Sequence, residues 1–373
     1  MKKITLLLIA VLAISSIAVL IFWNSKPSIK RPQEPTRIYS YHSEDVKFQN
    51  TKANTTLAGT LTLPSKEGNY PAVILITGSG PQNRDEEFFG HKPFLVISDY
   101  LTKNGIAVLR YDDRGFGQSS GDFISATPLD FASDVESALA YLKTRKEINK
   151  NKVGLVGHSE GSIVAPMVAS TSKDVSFIVL LAGPGMPGKK VLTQQSETIF
   201  KVLGATEAEM KNLQRFNAGI AEIFAKHQNT GALKADKTKY MQKNFEAIPT
   251  GLKPTGMTKE QFIAGQIEMI SSPAYQFIWN YDPAPILEKV TCPVLALNGE
   301  KDSQVAPKEN LKAISNALKA GGNISVTLKE LPNLNHFFQE SETGSPAEYA
   351  VIEQTFSPSA STEISNWILK QVK

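Results

Sequence analysis

Apolar residues in this chain gather in short unbroken runs, at 73–76, 106–109, 153–156, 177–181 and 294–297. A strand wetted on one face alternates apolar and polar positions, so unbroken runs predict strands buried on both faces, as in a parallel sheet. Helix-compatible stretches near 94–103, 131–144 and 162–169 separate the first four runs. Strands alternating with helices predict a sheet covered on two sides. Two earlier strand-like stretches, 46–48 and 57–63, have small and polar residues between them and predict a hairpin or meander. After 181 the rhythm stops for roughly a hundred residues, more than a compact domain leaves as loop. Met210, Leu213, Phe216, Ile220 and Ile223 recur there at helical spacing, so 186–289 reads as a helical cap over the strand ends. Ile364, Trp367 and Ile368 mark a closing amphipathic helix. The expected fold class is α/β: a mostly parallel central sheet flanked by helices, built from 39–185 and 290–373, with the cap inserted between them.

Parallel sheets place their chemistry at the carboxyl ends of the strands, and the unusual residues of this chain lie there. The run 153–156 enters Gly157-His158-Ser159-Glu160-Gly161, and helix-compatible residues follow from Ile163. So sharp a turn needs small residues at both flanks and lifts the Ser159 hydroxyl clear of the backbone, the pattern of a nucleophile elbow. The helix starting there aims unpaired N–H groups at an oxygen beside the serine. Thr77-Gly78-Ser79-Gly80-Pro81 follows the run ending at Ile76. Pro81 interrupts the helix start that a dinucleotide-binding loop requires. The turn is read instead as baring the Ser79 N–H toward that of Glu160, forming an oxyanion hole. The segment from Tyr111 to Ser119, with Gly115, Gly117 and its charged residues, reads as scaffold that braces neighbouring loops. Past the run 294–297, Asp302 is the candidate acid and Glu300 the reserve; His336 is the one histidine downstream of either. The order serine, acid, histidine can therefore be completed in one way. Phe277, Trp279 and Tyr281, near the return from the cap, are candidates to line a substrate pocket.

Charge narrows the partners. The formal net charge is +4, but residues 1–40 carry +5, leaving −1 for the remainder. Nothing in that balance argues for nucleic acid. The single cysteine, Cys292, excludes an intrachain disulfide and heads an apolar run as a small buried hydrophobe. Lys2 and Lys3 precede an uncharged apolar run from Ile4 to Trp23, which predicts a signal peptide or membrane anchor over 1–25 and an exported protein. Residues 26–38, with Pro27, Pro32 and Pro35, read as an extended linker.

These residues resemble the α/β-hydrolase superfamily, and within it the bacterial exported hydrolases similar to serine aminopeptidases and carboxylesterases. The resemblance rests on Gly78-Ser79-Gly80-Pro81 with Arg84 and Asp85, the 110–119 segment, the elbow, Tyr281-Asp282-Pro283, the acid loop and His336. It implies a triad of Ser159, Asp302 and His336, with the N–H groups of Ser79 and Glu160 binding the oxyanion. Thr77 stands where many relatives have the histidine of a His-Gly pair. The implied reaction is hydrolysis of a small acyl ester through an acyl-enzyme, with no metal or cofactor. One alternative is a peptidase holding a free amine through Glu207, Glu209 or Glu222 of the cap. Another is a non-catalytic binding protein on a hydrolase scaffold.

Overall fold

The computed structural model describes residues 31–36, 38–226, 230–247 and 258–373. The apolar run from Ile4 to Trp23 lies outside the described residues. Among those described, no helix is long and apolar enough to cross a membrane.

Eight strands form one sheet. They are β1 (His42–Asn50), β2 (Thr55–Leu63), β3 (Tyr70–Ile76), β4 (Ala107–Tyr111), β5 (Ile148–His158), β6 (Phe177–Leu181), β7 (Val294–Gly299) and β8 (Val326–Leu331), in the spatial order β1-β2-β4-β3-β5-β6-β7-β8. The β1–β2 and β2–β4 pairings are antiparallel, and every pairing from β4 to β8 is parallel. Alternation within each unbroken run explains why both faces are dry. In β3, Ala72, Ile74 and Ile76 join one apolar cluster while Val73 and Leu75 join the other; in β6, Ile178 and Leu180 face Phe177, Val179 and Leu181 across the sheet. Helices α1 (Pro93–Lys103) and α11 (Pro358–Gln371) contribute to the second cluster, and α2 (Pro128–Thr144), α3 (Gly161–Ala169) and α10 (Pro307–Ala320) to the first. The expected α/β architecture, with a mostly parallel sheet between helices, is the one observed.

Between β6 and β7 the chain forms α4 (Gly188–Val202), α5 (Glu207–Lys226), α6 (Thr230–Asn244), α7 (Lys259–Ile270), α8 (Pro273–Asn280) and α9 (Ala284–Leu287), with no strand among the described residues. Phe200, Leu213, Ile220, Met241, Phe262 and Ile267 close a third apolar cluster there, and Met210 and Phe216 pack against it. The helical face read from the spacing of Met210 to Ile223 thus turns inward.

Two features depart from the sequence reading. Strand β8 and helix α10 were not anticipated. Residues 31–34, expected within an extended linker, instead lie against the body of the protein. Arg31 donates to the carbonyls of Ile352 at 2.6 Å and Phe89 at 2.8 Å. Gln33 Oε1 accepts the N–H groups of Thr355 and Phe356, its Nε2 donates to Phe356 O at 2.6 Å, and Glu34 pairs with Lys92. Pro32 lies in a turn closed by the Glu34 N–H donating to Arg31 O at 3.0 Å, and the docking contacts are made by side chains.

Candidate active site

Strand β5 delivers Ser159 into a left-handed backbone conformation, φ +51°, which costs a non-glycine residue about 1–2 kcal/mol. Packing enforces it. A Cβ on Gly157 would sit 2.1 Å from the Gly161 carbonyl oxygen, and one on Gly161 would sit 2.2 Å from the Ile76 carbonyl oxygen. The glycines therefore let the turn fold back between two strands. The Ser159 N–H donates to Leu181 O of β6 at 2.8 Å, and Ser162 Oγ donates to Gly157 O at 2.7 Å, so the turn is pinned on both sides.

The loops after β7 and β8 meet above it. His336 Nε2 lies 3.1 Å from Ser159 Oγ, and His336 Nδ1 lies 2.8 Å from Asp302 Oδ2. Both partners are almost wholly buried: His336 is 1% and Asp302 3% exposed. The other oxygen of Asp302 accepts the N–H groups of Gln304 and Val305 at 2.8 and 2.9 Å. A carboxylate so fixed accepts a hydrogen bond from Nδ1–H, leaving Nε2 as the acceptor for the serine hydroxyl. Glu300, the reserve acid, accepts the N–H of Asn333 instead. It steadies the loop that carries the histidine.

Ser79 and Glu160 come together across Ser159. Ser79 Oγ lies 2.6 Å from Glu160 Oε2, and among the described residues neither backbone N–H donates to another group. Two free donors at a strand end beside a hydroxyl are what an oxyanion needs. The Glu160 carboxyl is buried, its Oε1 has no hydrogen-bond partner among the described residues, and burial raises its pKa.

The 111–119 segment braces the loop between β3 and α1. Asp113 accepts from Thr77 Oγ1 at 2.8 Å and from the Gln82 N–H at 2.9 Å. Burial, with Glu160 and Glu86 nearby, raises the Asp113 pKa well above the ordinary value. Asp112 takes the Arg84 N–H and guanidinium together with the Gln118 N–H. Its burial is opposed by those donors, which lower its pKa overall. Arg110 pairs with Asp85.

The three aromatic residues named from sequence separate. Phe277 and Tyr281 stack at 5.5 Å and line an open groove of about 590 Å³ with Thr127, Gln276, Asn280 and Asp282; neither Ser159 nor His336 lines it. Trp279 is buried and stacks on Phe224 at 4.4 Å, inside the helical layer. What flanks the histidine is a pair the sequence reading missed, Phe88 and Phe337, stacked at 3.8 Å with Phe337 also edge-on to His336. Phe337 follows His336 directly, and that adjacency was the available signal. Glu207 sits exposed and Glu209 half-buried at the start of α5, where Glu209 accepts from Thr206. Cys292 is half-buried, and burial pushes its thiol pKa up to about 11. Among the described residues no cluster of His, Cys, Asp and Glu is arranged to hold a metal ion.

A mostly parallel sheet crossed by a strained serine turn, with acid and histidine on the loops after the last two strands, is the architecture of the α/β-hydrolases, and this chain has the α/β-hydrolase fold. The family model described as serine aminopeptidase, S33, matches residues 94–247, which include Ser159 but end before Asp302 and His336. Esterase EstD of Thermotoga maritima is 28% identical over 320 residues, covering 84% of this chain. The chain spans just under two thirds of that esterase, 66% of its length. Among solved structures, the Pyrococcus furiosus esterase Pf2001 has a TM-score of 0.55 at 17% identity, covering 89% of this chain and 92% of its own. The protein PA2218 of Pseudomonas aeruginosa has a TM-score of 0.54 at 15% identity, covering 93% and 98%.

Proposed function

We propose that the protein is a serine hydrolase that cleaves small carboxylic esters through an acyl-enzyme. The observation that carries this reading is the continuous hydrogen-bonded series Ser159–His336–Asp302, with His336 within 3.1 Å of the hydroxyl and 2.8 Å of the carboxylate. His336 Nε2 takes the Ser159 proton as Oγ bonds to the ester carbonyl carbon. The oxygen gains negative charge and is met by the N–H groups of Ser79 and Glu160, each worth about 3 kcal/mol in such a role. The tetrahedral species collapses as His336 returns the proton to the leaving alkoxide oxygen, and the acyl group stays on Ser159. Water then repeats both steps, releasing the acid and restoring the hydroxyl. Asp302 holds the imidazole tautomer and offsets its positive charge throughout.

Ester rather than peptide hydrolysis is favoured by the likeness to Esterase EstD and by Glu209, a candidate amine-holding acid, being engaged with Thr206. The test is turnover of short-chain p-nitrophenyl esters against aminoacyl-naphthylamides, together with fluorophosphonate labelling. The wild type should hydrolyse the esters and label at Ser159. Ser159→Ala should lose both, with turnover down on the order of a millionfold. A Ser159→Ala protein that keeps most of its ester turnover sinks the reading. We place the catalytic part outside the cytoplasm on the strength of Lys2, Lys3 and the run from Ile4 to Trp23. An alkaline phosphatase fused after residue 373 should be active when expressed in a bacterial host, and an inactive fusion would refute export.

A further inference from the structure

Beneath the triad lies a second histidine–carboxylate pair that the reaction as written does not use. His158 Nδ1 is 2.8 Å from Glu86 Oε1, and His158 Nε2 is 3.1 Å from the backbone carbonyl oxygen of His336. Glu86 Oε1 also accepts the N–H of Gly78 at 2.7 Å. Both side chains are buried, His158 at 4% and Glu86 at 2% exposure. The pair, whose histidine directly precedes Ser159, thus grips the residue before the proposed oxyanion donor Ser79 and the main chain of His336. Glu86 is itself held at φ +51°, a conformation that a glutamate adopts only when its surroundings impose it.

The hydrogen bonds constrain where the protons sit. A carbonyl oxygen only accepts, so His158 Nε2 carries a proton. With Glu86 as a carboxylate, its Oε1 accepts hydrogen bonds from both the Gly78 N–H and the His158 Nδ1–H. Both ring nitrogens are then donors and His158 is an imidazolium. Burial alone would lower the His158 pKa; the Glu86 carboxylate, with the His336 carbonyl and Asp302, raises it overall. The groups facing His158 are Glu86 from the β3–α1 loop, Asp302 from the β7 loop, and the carbonyl and ring of His336 with the ring of Phe337 from the β8 loop; the His336 ring centroid is 5.0 Å away.

We propose that Glu86 and His158 form a positioning clamp that sets the oxyanion loop and the catalytic base relative to one another and keeps a positive charge beside His336. The proposal rests on the triad reading and deepens it. Neither residue touches substrate. They act through Gly78 and His336.

The test uses the full chain, with Glu86→Gln, His158→Gln and the double variant compared with wild type on p-nitrophenyl acetate across pH. Glutamine at 86 leaves His158 neutral, so the positive charge beside His336 disappears. Its proton affinity then rises. The acid limb of kcat/KM should move to higher pH, and kcat should fall about a hundredfold with KM changed by less than about threefold. The double variant should lose no more than the worse single variant, because the pair acts as a unit. Overturning results are a kcat within twofold of wild type, or a fall in kcat with an unmoved acid limb and additive losses, which marks a purely structural role. If the variants do not fold, ¹⁵N-histidine spectra of the wild type decide. An imidazolium persisting at pH 7.5 supports the clamp, and the absence of one overturns it. Wild type that neither labels with fluorophosphonate nor turns over esters refutes the hydrolase reading itself; wild type that does both while the variants match it refutes the clamp alone.

Discussion

At the scale of single residues, the proposed triad could be written from the sequence because few side chains could fill its positions. Ser159 sits in a Gly-x-Ser-x-Gly turn directly between an apolar run and helix-compatible residues, and one histidine follows the candidate acids. Choosing Asp302 over Glu300 rested on less, since either could be written past β7. The geometry separates them, giving Asp302 to the imidazole and Glu300 to the Asn333 N–H. Glu86 was invisible from sequence. Its contacts with Gly78 and His158 depend on a left-handed turn at a non-glycine residue, for which the sequence carries no marker. The clearest residue-scale prediction concerns tautomers. Asp302→Asn keeps the size of the side chain and the hydrogen bonds from Gln304 and Val305 to Oδ1, but its amide can donate to Nδ1. The proton then moves to Nε2, which can no longer accept from Ser159. In the serine-triad template this change lowers kcat about 10⁴-fold. Turnover of p-nitrophenyl acetate by Asp302→Asn should fall by that order with Tm little altered, and a loss below tenfold would remove Asp302 from the mechanism.

At the scale of elements, unbroken apolar runs located the interior strands well because β3 to β7 are dry on both faces. Strand β8, Val-Thr-Leu-Lys-Glu-Leu, is an edge strand with no fully buried position, so its alternating pattern gave no such run. Helix α6 shows a related limit. Lys237 lies in it with no exposed surface, its Nζ donating to Ile270 O at 2.7 Å and sitting 3.6 Å from the centre of the Phe224 ring. Sequence alone would put a lysine of this polar stretch in water. Burial lowers its pKa from 10.5 to about 7. Between those values the unfolded chain holds a proton that the folded chain releases, so this lysine makes stability rise with pH from about 7 to 10. Lys237→Met removes that dependence. The difference in Tm, variant minus wild type, should be largest near pH 7 and shrink by several degrees toward pH 10, read from thermal unfolding of both proteins. A difference that grows with pH would mean that the ammonium is stabilised by the Phe224 ring and Ile270 carbonyl more than burial disfavours it.

At the scale of the whole molecule, the segment read as a linker serves as a strap. Arg31 and Gln33 reach the 350–356 turn and Phe89, closing over His91. The His91 ring is buried, with Nδ1 against Thr355 Oγ1 and Nε2 against the Tyr349 carbonyl oxygen, both at 3.0 Å. Burial first, and Arg31 second, lower its pKa from 6.5 to about 4. Above pH 6.5 the neutral ring suits both states. As pH falls toward 4, the unfolded chain takes up a proton that the folded chain refuses, so stability is lost over that window. Removing the strap has two consequences of opposite visibility. A chain beginning at Tyr39 leaves the Thr355 and Phe356 N–H groups without Gln33, a loss of about 1–2 kcal/mol that should lower Tm by a few degrees at pH 7.5. It also frees His91 of Arg31 and opens its surroundings, so the folded-state pKa moves back toward 6.5 and less stability is lost on acidification. The gap in Tm between a chain beginning at Lys30 and one beginning at Tyr39 should therefore be wide at pH 7.5 and narrower at pH 5. Equal Tm values at pH 7.5 would show that the strap contributes nothing to the fold, and a gap that widens at pH 5 would show that His91 does not sense it.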